Sequence, residues 1–420
     1  MSHGQTLSVS RAAEPVGGTA FASALWLVLG LGIVIRVVLA FTTHGQAYDL
    51  QSFALVDSAL HAHVFGVYHQ LDNFPLPPYG RWPYPPGFFA FIVPLASVAR
   101  ATGLAFTGLI RVPASLADAG IAWLVQDYLG WRGYSHRARL AAAALVALGP
   151  SFAAISGYHG QIDSVAILPA VAAAYVWMRS GSDRRGYWAG ALIGAGAAIK
   201  TVPILMVLAL LPTARSWREA VRLIVPAVAI PLATFAPWLI LDGPGKSLVW
   251  TYRGGPGLGG ISLLTDPALP LTPFAGAHET VHGLTQAVFD QARWITGVAL
   301  VCAAGWLARY RPPAVLAAVL LWLTVWVFGV TFFLQYLVWG LPFLIMAGYL
   351  RQVLALQLAV LPATVISYTT GTAHWEVWLL YTVPMILFWL GSVAGLVAVA
   401  QRVARGSQRR AVRGATELPA

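Results

Sequence analysis

The stretch "YWAGALIGAGAAIKTVPILMVLALLP" (Tyr187–Pro212) is apolar apart from Lys200. Arginines flank it at both ends, Arg184 and Arg185 before it and Arg215, Arg218 and Arg222 after it. As one straight helix it would span roughly 39 Å at 1.5 Å per residue. A hydrocarbon core is only about 30 Å thick, and such a helix would put the two basic clusters on opposite sides of a membrane. Two short helices folded back near Lys200–Pro203 keep both clusters on one side, and Pro203 supplies the break. Lys200 then stands at the tip of a hairpin.

Composition makes a membrane the right frame. The chain has 420 residues, 58% of them hydrophobic and 10% charged. Soluble domains carry about 25% charged residues. Apolar runs near the length of a membrane crossing recur, which marks an all-α polytopic membrane protein. The barrel pattern of short alternating strands is absent from the sequence. A net charge of +11 in a soluble chain would point to nucleic acid. Here the arginines flank the spans on their cytoplasmic side, so nucleic acid is not expected as a partner. The single cysteine, Cys302, excludes intrachain disulfides and cysteine-based metal sites.

Placing all basic clusters inside predicts about ten full transmembrane helices plus the hairpin. Residues 1–20 are a cytoplasmic tail, 21–400 one transmembrane domain, and 401–420 a basic cytoplasmic tail. Two long outer loops cover 42–109 and 242–291. Pro85–Phe106 is apolar, but counting it as a span would move Arg132–Arg139 outside. It is read as an outer-surface or shallow re-entrant helix. The same bookkeeping puts "YHGQIDS" (Tyr158–Ser164) on the outer face.

Most of the 15 acids fall on that face too, several of them beside apolar runs where charge is costly. Asp49 follows the first span. It is either a helix-start residue favoured by the dipole or a general base. Asp57 lies two turns further along the same helical pattern. Tyr84 opens the rigid "YPPG" of "WPYPPGFFAF". Arg111 and Asp118 are two turns apart in one span, so they share a face, as a site or as a buried structural pair. His159, Gln161 and Asp163 cluster where a single cap would suffice, although Asp163 alone could cap the next span. Lys200 is either a snorkelling lysine or a phosphate ligand. His61 and His63 diverge on a helix, so no metal is implied.

In their order, Asp49, "VFGVYHQ", "WPYPPGFFAF", "RVPASLAD", "YHGQIDS", "AIKTVPILM" and "LQYLVWGLPFL" (Leu334–Leu344) resemble the GT-C superfamily of membrane glycosyltransferases. The ER glucosyltransferases of N-glycan assembly are similar in their acidic first loop, Tyr-Pro-Pro and Gly-His-Phe-Gln. Bacterial polyprenyl-phosphate-mannose-dependent mannosyltransferases are closer still. Their Gly-Gln-x-Asp and Gln-Tyr-x-x-Trp-x-x-Pro match Gly160–Asp163 and Gln335–Pro342 here. The resemblance covers roughly 21–350. One departure is that Asp49 is followed by Leu50 where the family often has a second acid.

The resemblance implies transfer of a hexose, with mannose foremost, from a polyprenyl-phosphate donor to an extracytoplasmic glycan or lipid acceptor. The enzyme would be multi-pass in the inner (plasma) membrane, with membrane lipids around it and its active site outside. Asp49 would be the catalytic base. Asp57, Tyr84, Arg111, Asp118, His159, Gln161, Asp163, Lys200, Arg253, Gln335 and Tyr336 would bind substrate. No cofactor is implied, and no divalent metal. The alternatives are a secondary transporter, which also uses broken helices with midplane charge, and an O-antigen ligase or polymerase, which would concentrate function in the late loop.

Overall fold

The computed structural model describes residues 18–72, 82–242, 249, 259–264, 284, 286–330, 332–369 and 375–416, and Arg253 lies outside them. Helix is the regular structure of the described residues, with no strand among them. In chain order the helices are α1 (Gly18–Thr42), α2 (Ala47–Ala62), α3 (Val67–Asp72), α4 (Phe89–Thr102), α5 (Val112–Trp131), α6 (His136–Ala147), α7 (Asp163–Arg179) and α8 (Arg185–Ile199). They continue as α9 (Met206–Leu210), α10 (Trp217–Leu241), α11 (Ala292–Tyr310), α12 (Ala314–Phe328), α13 (Leu337–Met346), α14 (Leu350–Ala359), α15 (Leu361–Thr369) and α16 (Trp375–Thr416).

Side-chain contacts define two ends of the bundle. At the start of α1, Phe21 stacks on His136 at 4.6 Å between ring centroids, and Arg139 lies over the same ring. At the far end of α1, Arg111 donates to the Thr43 carbonyl at 3.1 Å. The first end is basic. There Arg179 pairs with Asp127 at 2.6 Å, and Arg185 pairs with Glu219 at 2.5 Å.

The hairpin is visible in the same contacts. Arg185 opens α8, yet its guanidinium reaches the Thr213 carbonyl at 3.5 Å, and Trp177 donates to the Thr213 hydroxyl at 2.9 Å. Residues 200–213 therefore return along α8 to the end where it began. The return arm is uneven. Two 3-10 turns, Val202–Leu205 and Leu211–Thr213, flank the short α9, because Pro203 and Pro212 each remove a backbone donor.

Five helical segments are long and apolar enough to cross a membrane: Thr19–Thr42, Phe106–Trp131, His136–His159, Trp217–Leu241 and Leu380–Gly406. A sixth forms if the pair Leu350–Ala359 and Leu361–Tyr368, bent by 41°, is one crossing. Five or six crossings is fewer than the ten expected. Helices stand at the other expected positions, but several are short. The 15 residues of α12 reach only about 22 Å. That helix and α13 are instead buried on nearly every face, as central helices are. Pro86–Thr102, expected at the surface or re-entrant, is also too short to be among the five. It packs on α2, where Arg100 bonds Asp57 at 2.7 Å.

Candidate active site

The non-basic end is built around the turn between α6 and α7. After Pro150 the helix widens into a π-turn, Ala153–His159, in which the Gly160 amide reaches the Ile155 carbonyl five residues back, at 3.0 Å. Such wide turns recur at functional sites. Gly160 then reverses the chain at φ +89°, and a Cβ there would sit 2.9 Å from Leu50 and 3.2 Å from Arg111. Glycine is thus required on both conformational and steric grounds. The reversal puts His159, Gln161 and Asp163 within one tight turn, all buried.

Asp49, in the first turn of α2, receives His159 Nε2 on its Oδ2 at 2.6 Å. His159 Nδ1 is in turn 2.8 Å from the Tyr368 hydroxyl on α15. Asp49 Oδ1 has no protein partner among the described residues, and the Asp49 side chain keeps 20% of its exposure while that of His159 keeps 6%. The result is an oriented carboxylate with one oxygen held and the other open. Tyr158 closes the group. Its hydroxyl donates to the Tyr368 carbonyl at 2.7 Å and lies 3.3 Å from His44 Nε2.

Beside this lies a second, fully buried acid. Asp163 does not cap α7. The cap position is Ile162, and no side chain serves it. Asp163 Oδ1 accepts instead from Lys200 Nζ at 2.7 Å and from the indole N–H of Trp339. Lys200 ends α8 at the hairpin tip, between the rings of Tyr84 (5.0 Å) and Trp339 (5.4 Å). These are cation–π distances. Tyr336 stacks on Trp339 with centroids 3.8 Å apart, and Gln335 is half-buried in the same turn. Two buried atoms lack partners among the described residues here, Asp163 Oδ2 and Gln161 Oε1. Orphaned buried acceptors are uncommon in native proteins and mark a place where a ligand or water is expected. His159, which holds Asp49, and Asp163 belong to the same tight turn, and this places the two acids in one site.

The "YPPG" turn owes its place to packing. Gly87 presses against the end of α8, so close that a Cβ would lie 2.4 Å from the Ala198 carbonyl. Tyr84 is held from behind by the Tyr68 hydroxyl, which donates to its carbonyl at 2.8 Å. Asp242, at the end of α10, accepts from the amides of Tyr68 and His69 at 2.7 and 3.0 Å. Burial, with Asp242 nearby, pushes the Tyr68 phenol well above its ordinary pKa, so it remains a neutral donor.

Three expected ligands sit elsewhere. Asp118 pairs with Arg36 at 2.8 Å, both fully buried, and Arg36 also serves the carbonyls of Gly32, Val146 and Ala147. Arg111 does not reach Asp118, which lies roughly 10 Å further along the helix. It donates to the carbonyls of Leu39, Thr43 and Gly157 and so braces the π-turn from behind. Asp57 pairs with Arg100 and His61 at the surface. Trp339, Tyr368 and Tyr158 join the site without having been singled out. Trp339 stands inside a motif that was recognised, but a lone tyrosine ending the apolar run "LPATVISY" gives no signal in sequence.

A comparison with curated proteins finds no match. The family model of glycosyltransferase family 87 matches residues 82–329, more than half of the chain. That range holds the π-turn, Asp163 and Lys200, while Asp49 and Trp339 fall outside it. The chain belongs to glycosyltransferase family 87, and with its apolar helices it is a membrane glycosyltransferase of the GT-C type.

Proposed function

We propose that the protein transfers a hexose, mannose foremost, from a polyprenyl-phosphate donor to an extracytoplasmic glycan or lipid acceptor. The observation that carries this reading is Asp49, fixed by His159 through Oδ2 and open at Oδ1. In the proposed step Asp49 Oδ1 takes the proton of the acceptor hydroxyl. The hydroxyl oxygen bonds to the anomeric carbon as the carbon–oxygen bond to phosphate breaks on the opposite side. The leaving group is polyprenyl phosphate, and the configuration inverts. A base positioned in this way contributes about 10²–10⁴ in rate.

His159 is the positioning residue for that base. With the Tyr368 hydroxyl donating to Nδ1, the ring proton sits on Nε2 and points at Asp49, a tautomer assigned from the bonding pattern. The leaving phosphate needs donors. Lys200 has three, and its bond to Asp163 uses one. The Gln161 side chain lies in the same turn and can add an N–H. The aromatic walls of Tyr84, Tyr336 and Trp339 suit the apolar faces of a sugar ring. In this reading the membrane crossed is the inner (plasma) membrane, and the Asp49 end is extracytoplasmic.

The test is to incubate the purified protein in lipid with radiolabelled polyprenyl-phosphate mannose and, separately, polyprenyl-phosphate glucose. Labelled product from one donor, lost in Asp49→Asn, is the expected result. Turnover from a nucleotide-activated sugar in place of both lipid donors would overturn the donor assignment.

A further inference from the structure

We propose that the basic end of the bundle, opposite the Asp49 site, holds one anionic phospholipid. Its phosphate would sit in a cavity at the α11–α12 turn and its acyl chain in the groove beyond. The cavity has a volume of about 580 Å³ and is lined by Tyr310, Pro312, Gln401, Arg402 and Arg405, with Leu316 at its inner side. Arg402 donates to the Tyr349 hydroxyl at 3.2 Å. Neither Arg402 nor Arg405 pairs with an acidic side chain among the described residues. Two arginines of the same end, Arg179 and Arg185, are paired with Asp127 and Glu219, and what sets Arg402 and Arg405 apart is that both line one cavity. Two guanidiniums that converge on one concavity with no carboxylate to neutralise them make a phosphate site.

The turn fixes one wall of the cavity. Arg311 adopts φ +44°, the left-handed region, and is the only described non-glycine residue to do so. It is followed by Pro312 and Pro313, which stiffen the cavity wall. Arg311 is the left-handed cap that ends α11, its amide bonding the Leu307 carbonyl at 2.9 Å.

The ligand's class follows from what adjoins the cavity. A groove of about 650 Å³ runs between the same three helices, α11, α12 and α16, and is lined by residues such as Ile295, Cys302, Leu320 and Leu396. Leu316 faces the cavity, and Leu320, one turn on, faces the groove. A pocket that carries two cations on a largely apolar wall, next to an apolar trough, suits an amphipathic phosphate. A free phosphate or a nucleotide would leave the trough empty. By the positive-inside bias this end is cytoplasmic, where basic pockets between transmembrane helices take anionic headgroups.

Native mass spectrometry of the detergent-purified protein, given phosphatidylglycerol or phosphatidylcholine, tests this. One phosphatidylglycerol should be retained and no phosphatidylcholine. Arg402→Gln with Arg405→Gln should lower that retention roughly 30-fold, about fivefold per arginine. Arg409→Gln with Arg410→Gln, further along α16, should change it little. Ala299→Trp, which fills the groove and leaves both arginines, should also lower it. Equal loss in the Arg409/Arg410 variant would mean a diffuse basic tail. Displacement of phosphatidylglycerol by millimolar inorganic phosphate, or retention unchanged in both the Arg402/Arg405 and Ala299 variants, would also overturn the proposal.

Discussion

Asp49 and Asp163 are both first-turn carboxylates, and their surroundings give them different work. Asp163 is wholly buried and meets an ammonium and an indole, so it anchors. Asp49 is held by His159 on Oδ2 and has no partner on Oδ1 among the described residues, which leaves Oδ1 for the proton transfer proposed above. Asp49→Asn should therefore cut turnover about 10²–10⁴-fold with expression and donor retention intact. Asp57→Asn alters a carboxylate paired with Arg100 and His61, away from Asp49, and should change turnover less than twofold. Steady-state rates and melting curves for the two variants, side by side, check the assignment. Tyr368→Phe removes one hydrogen bond to His159 and should lower kcat about tenfold with KM unchanged. An unchanged kcat would leave Tyr368 a mere wall. Polar residues stranded among apolar ones were legible in the sequence: Asp49, His159, Gln161, Asp163, Lys200. Their pairing was not, because Asp49 and His159 are 110 residues apart. Arg111 and Asp118 both turn toward α1, the shared face read from their spacing, but they do not pair. Seven residues rise about 10 Å along a helix, so a shared face does not mean contact. Arg36, on another helix, took the acid.

Among the elements, the hairpin is what the charges flanking Tyr187–Pro212 required, and Pro203 breaks it where expected. What the sequence did not reveal is that the tip lysine is already paired. A lone Lys200 could be a snorkelling group or a phosphate ligand; buried against Asp163, it is also structural. Breaking a buried pair from one side typically costs about 3–5 kcal/mol. Lys200→Met should therefore lower the melting temperature, and adding Asp163→Asn should restore most of it. If Lys200 also binds the donor phosphate, the double variant will be stable yet fail to use donor. A stable and active double variant would reduce Lys200 to its structural role. The "YPPG" turn permits a gentler test of the same tip. Gly87→Ala would push a methyl into the Ala198 carbonyl and should cost about 1–3 kcal/mol. By moving Tyr84 off Lys200 it should also raise the KM for donor while leaving the acceptor KM in place.

At the scale of the whole molecule, the question is which way the two ends face. Arg139, Arg179 and Arg185 gather at one end with the start of α1, and Asp49, His159 and Lys200 gather with its finish. The 25 residues of α1 separate the two by about 37 Å, a full membrane. This polarity was legible from the arginines alone. The number of crossings was not, because hydropathy does not distinguish a lipid-facing helix from a central one such as α12. Exposed positions at each end are available for labelling, Gln51 beside Asp49 and Ser182 beside Arg185. In a Cys302→Ala background, an impermeant maleimide applied to intact cells should modify Gln51→Cys at once and Ser182→Cys only after permeabilisation. The reverse pattern would turn the Asp49 site toward the cytoplasm. There nucleotide-activated sugars are at hand, and a lipid-linked donor would have no advantage. The orientation and the choice of donor therefore stand or fall on the same pair of cysteines.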